Sequence, residues 1–86
     1  MHCGLHYPEQ NVAVLGIDYN LVEFDFEKMK ITKNVKTKTE NFVQQIEKVN
    51  DDTFLVGELY GYIELINKKD LSCLSHLQVK GELYIY

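Results

Sequence analysis

The sequence predicts an all-β chain built from antiparallel four-stranded meanders. Three observations predict it. Apolar and polar residues alternate with period two along most of the chain. Runs rich in valine, isoleucine, threonine and aromatics are separated by short polar connections. The pattern GELYGYIEL at 57–65 also has a looser echo, GIDYNLVEF, at 16–24.

The elements follow in order. MHCGLHYPEQ (1–10) reads as an N-terminal tail, with neither the basic region nor the apolar stretch of a signal peptide. NVAVLGID (11–18) is apolar on both faces, as expected of a strand covered on both sides. LVEFDFE (21–27) alternates, with Val22, Phe24 and Phe26 opposite Glu23 and Asp25. The segment from Ile31 to Thr39 is rich in lysine and threonine, which suits an edge strand protected against stray pairing. FVQQIEKV (42–49) has helical spacing at Phe42, Ile46 and Val49, but its shortness and its neighbours favour a strand. TFLVGEL (53–59), YIELINK (62–68) and LSCLSHLQV (71–79) complete a second set, and GELYIY (81–86) opens a further strand.

A slide of 41 residues sets Gly16 on Gly57, Tyr19 on Tyr60, Asn20 on Gly61 and Glu23 on Glu64. Asn20 and Gly61 are residue types that tolerate a left-handed backbone, so both hairpins are expected to turn there. Four strands per repeat at this period indicate blades of a β-propeller, one over 11–39 and a second over 43–79. A single small barrel or sandwich is the alternative. On these residues the chain resembles the WD-repeat propeller family. Gly57 stands at the small position, Tyr60-Gly61 at the turn, Ile63 and Leu65 at the alternation, and Ile66-Asn67 where that family carries Trp-Asp. The chain has no tryptophan and no turn aspartate, so it would be a divergent member. The resemblance implies a non-enzymatic scaffold that presents loops to protein partners, or an appended regulatory segment of a larger enzyme. Two blades would leave two apolar faces open to further blades or to self-association.

Composition narrows the function classes. The net charge is −4 and all nine basic residues are lysines, so the arginine forks that clamp phosphates and read guanine are missing; nucleic acid is not the expected partner. No run approaches the roughly 18 apolar residues of a membrane helix, so no membrane partner is expected. Two cysteines are too few for a disulfide scaffold and suggest a reducing, cytoplasmic setting. Cys3 with His6 and Cys73 with His76 have the makings of a zinc site. An extended strand, however, points residues three apart to opposite faces, so no metal, cofactor or catalytic residue is expected. Glu23 and Glu64 read as a solvated or inter-blade rim, and EKMK (27–30), NDD (50–52) and NKKD (67–70) as solvated turns. Tyr19, Asn20, Tyr60 and Gly61, at the tips of the two echoing hairpins, are the candidate protein-binding residues.

Overall fold

The computed structural model describes residues 3–79. It contains eight strands in two four-stranded antiparallel sheets, each a simple meander. The first sheet holds β1 (Cys3–Tyr7), β2 (Val12–Ile17), β3 (Asn20–Asp25) and β4 (Lys30–Lys36). The second holds β5 (Val43–Lys48), β6 (Thr53–Glu58), β7 (Tyr62–Asn67) and β8 (Cys73–Gln78). The only helical residues among those described are 3-10 turns at Pro8–Gln10 and Leu59–Gly61, neither able to cross a membrane. The expected strand at 81–86 lies outside the described residues.

The stretch expected to be a tail is in part a strand. β1 alternates Cys3, Leu5 and Tyr7 toward the core against Gly4 and His6, and pairs along its whole length with β2. Pro8 suits the first position of the turn that follows, and Asn11 closes that turn in the left-handed region at φ 57. The hairpin tips also differ from expectation. Asp18, not Asn20, takes positive φ (54) in the two-residue turn between β2 and β3. In the β6–β7 turn both Tyr60 (φ 66) and Gly61 (φ 78) do so.

The repeat is present in the pairing, with a one-residue difference that a single slide misses. Gly16 lies opposite Cys3 and Leu21, and Gly57 lies opposite Gln45 and Ile63. The second strands of the two sheets are therefore 41 residues apart, and the first and third strands 42. The longer β6–β7 turn absorbs the extra residue. Two backbone bonds recur under the same rule. Phe26 N–H donates to the Asn11 carbonyl as Lys68 N–H does to Asp52, and Thr37 N–H donates to Tyr19 as Val79 N–H does to Gly61. Glu64 is accordingly the counterpart of Val22, and Glu23 that of Leu65.

The sheets stack front to back. The face of the first sheet that carries Tyr7, Val12, Val14 and Leu21 packs on the second sheet's Val43, Ile46, Phe54, Val56 and Ile66. Most of these side chains are fully buried, at about 25 cal/mol for each Å² removed from water. β5 runs beside β1 and β2, and its Val43 lies close against Gly16. A Cβ there would stand 2.5 Å from Val43 Cγ1 and 3.0 Å from Cys3 Sγ. The outer faces remain apolar. On the first sheet His6 and Phe24 meet Phe26 edge to face at 5.4 and 5.3 Å. On the second, Leu55 and Leu77 are 39% and 55% exposed.

Gly16→Ala is therefore expected to force the two sheets apart at β5 and to cost about 1–3 kcal/mol. Gly4→Ala is the comparator: its Cβ would press on the flexible end of Leu15, at 2.9 Å, and stand at ordinary contact distance, 3.5 Å, from the Val14 carbonyl oxygen. Urea denaturation of both variants checks the prediction; equal effects would show that the Gly16–Val43 contact does not control the stack.

Candidate interaction surface

Backbone bonding gathers the two candidate hairpin tips at one end of the molecule. Val43 N–H donates to the Asp18 carbonyl at 2.6 Å, and Leu59 N–H donates to the Phe42 carbonyl at 2.9 Å. Residues 42–43 are thus tied to the β2–β3 turn on one side and to the β6–β7 turn on the other. Tyr19 stacks on Phe42 with ring centroids 6.1 Å apart and planes 7° from parallel, and the Lys36 ammonium lies 5.6 Å from the Tyr19 centroid. Phe42 is 52% and Tyr60 72% exposed, so the aromatic groups face outward. Gly61 is positioned by β8: its carbonyl accepts from Val79 N–H, and a Cβ would stand 2.7 Å from the Val79 carbonyl oxygen. The amide of Gln78 donates to the Tyr60 carbonyl at 3.2 Å. Asn20, half-buried at the start of β3, pairs with Ile17 and Lys36 and takes no part in the turn itself. Phe42 escaped the sequence reading because it stands at the start of a segment, 42–49, that reads as a strand and not as part of a hairpin tip.

Behind this surface lies a buried pair of carboxyls. Glu58 and Glu64 are 1% and 0% exposed, far from the rim expected for Glu64. Glu64 accepts the N–H groups of Lys38 (3.1 Å) and Thr39 (3.2 Å) and the Thr39 hydroxyl (3.1 Å). The Thr39 hydroxyl also bonds Glu58. Burial, then the neighbouring Glu64, push the Glu58 carboxyl up to about 8. Burial alone would raise Glu64 as well. Its contact with Glu58 and its bonds from Thr39 and Lys38 outweigh that and hold it below the ordinary carboxylate range. Glu58 therefore keeps its proton at neutral pH beside an ionised Glu64.

The opposite end corrects the solvated reading of NKKD. Lys68 is 6% exposed, and its ammonium bonds Glu23 (3.1 Å) and Gln10 (2.9 Å) over the Tyr7 ring at 5.1 Å. Glu23 is buried between the sheets and also bonds Lys33 and Thr32, at 3.0 and 2.8 Å. Burial would raise its carboxyl, but these donors hold it low. It is an ionised, fully partnered carboxylate.

The four Cys and His residues are not brought together. Cys3 faces the core while His6 is exposed on the opposite face of β1. A bulge in β8 does set Cys73 and His76 on one face, opposite Ile66 and Glu64, contrary to simple alternation. Among the described residues, no three His, Cys, Asp or Glu side chains are placed to hold a metal ion. Burial first, and for Cys73 then the neighbouring Glu64 carboxylate, push both thiols above their usual range and keep them protonated.

The carboxyl pair predicts an acidic optimum of stability. Glu58, raised above its usual 4.5, contributes stability that is complete below that value and lost as pH rises through about 8. Glu64, lowered, contributes stability that is lost as pH falls below 4.5. Thermal midpoints measured from pH 3 to 9 are expected to peak near pH 5, and Glu58→Gln to remove the alkaline decline. An unchanged decline in that variant would show that Glu58 does not keep its proton. Comparison with known proteins returns no matching family model, no matching curated sequence and no matching solved structure.

Proposed function

We propose that this chain is a non-enzymatic protein-interaction module, similar to part of a WD-repeat propeller, that works in the cytoplasm and binds protein partners through its aromatic end. The observation that carries this reading is the Tyr19–Phe42 stack beside exposed Tyr60, held by backbone bonds that join three separate segments. Exposed aromatics on a fixed backbone offer contact area at small entropic cost, the usual basis of interface hot spots. Lys36 beside Tyr19 is paired with Glu40 at 3.5 Å, and exposed Lys38 adds a positive charge at this end of an acidic protein. The partner segment it suits pairs an apolar anchor with carboxylates. Two four-stranded meanders stacked front to back support the blade reading on grounds of architecture.

Phage-displayed peptides selected on the immobilised chain test it. Peptides with an apolar residue flanked by Asp or Glu are expected. Their affinity is expected to fall at least tenfold, about 1.4 kcal/mol, for Tyr19→Ala with Tyr60→Ala, and similarly for Phe42→Ala. The thermal midpoint should change little, because Tyr60 and Phe42 are exposed. Selected peptides that bind wild type and variants equally would overturn the aromatic end as the binding surface.

A further inference from the structure

The junction between the sheets joins the back of the first to the front of the second. The back of the first sheet presents Val14, Gly16, Leu21 and Glu23, and the front of the second presents Val56, Glu64, Ile66 and Lys68. Each outer face repeats one of these in strand register. Leu55, Gly57, Ile63 and Leu65 form the back of the second sheet, and the first three line a groove of about 190 Å³. Leu15, Val22, Phe24 and Phe26 form the front of the first.

The two outer faces have changed chemistry together. In the buried junction Glu23 on one face bonds Lys68 on the other at 3.1 Å. Their counterparts on the outer faces are Leu65 and Phe26, so an ion pair has become an apolar pair. Had only one partner changed, the repeated junction would hold an uncompensated charge. Buried Glu58 and Glu64 likewise have Ile17 and Val22 as counterparts, while Gly16 is matched by Gly57 and Leu21 by Ile63. At the edge, β1 lies beside β5 in the existing junction. A repeat would bring the strand that carries exposed His6 to the strand that carries exposed Glu47, an imidazole to a carboxylate.

We propose that a second copy of this chain covers the groove head to tail, seating Phe24 and Phe26 of its first sheet on Leu55, Ile63 and Leu65 of the copy before it. The contact is heterologous, so copies add in sequence until the rotation closes a ring or continues as a filament. The inference stands on the front-to-back stack and is independent of the aromatic end and its partner.

Sedimentation of the full chain across a range of concentrations tests it. The wild type is expected to associate as concentration rises. Phe26→Lys and Leu65→Glu each alter one face, and each alone should weaken association by about tenfold or more. An equimolar mixture of the two should associate again, because each keeps the face the other has lost and the altered faces restore the ion pair of the buried junction. Nuclear Overhauser contacts from Leu55 and Leu65 methyls to the Phe24 and Phe26 rings are expected between differently labelled wild-type copies, and these decide if a variant does not fold. A wild type that stays monomeric at every concentration, or lacks those contacts, overturns the proposal. Phe26→Lys copies that associate as tightly as wild type overturn it in favour of two second sheets meeting back to back.

Discussion

Everything that joins the two sheets depends on how residues 37–42 are held as the chain passes from β4 to β5. Their backbone N–H groups turn into a buried interface and need acceptors there. Glu64 supplies one carboxylate to two consecutive N–H groups and to the Thr39 hydroxyl, while the Tyr19 carbonyl takes Thr37. Once those bonds are made, Val43 has only one place to go, and a residue without a side chain waits there. The carboxyl pair, the aromatic end and the front-to-back stack all follow from this passage.

The interface is polar at both ends and apolar between them. Toward the aromatic end it holds protonated Glu58 beside Glu64, and toward the other the Glu23–Lys68 pair with Lys33 and Gln10. Buried ionic groups are weak sources of net stability, since desolvation offsets most of the attraction. Their value is positional. A slip of the sheets that kept the valines and Phe54 in contact would still strand Glu23 or Glu64 without donors. An unsatisfied buried charge costs far more than a loosened apolar contact. The apolar middle accordingly drives association, and the charged ends set its alignment.

Much of this architecture was legible in the sequence. Alternation at 21–27 and 62–68, and the apolar runs at 11–18 and 53–59, revealed the central strands of both sheets. β1 was hidden by its brevity and by the proline after it. The repeat was visible at Gly16 and Gly57 but misaligned at the third strand, because identity between Glu23 and Glu64 attracted a slide of 41 where the registers require 42. Val22 and Glu64 occupy equivalent places with opposite chemistry, since Glu64 alone has linker N–H groups to receive. Lys68 could not be recognised as buried from a run that reads as charged and solvated. Tyr19 and Tyr60 were placed correctly at one end, but Phe42, which joins them, declares itself only once β5 is positioned.

Front-to-back stacking has a bearing on how this protein comes apart. Each sheet is made from neighbours in sequence, so its own pairing is recovered quickly and without help from the other. The contact between sheets, by contrast, is a single nearest-neighbour term of the kind found in linear arrays. Loss of structure should then travel inward from the exposed ends of the stack, and β4 and β8, farthest from the β1–β5 approach, should fray before the strands that border it. A gradient of opening across the molecule, rather than one all-or-none event, is the dynamic counterpart of two sheets that face the same way.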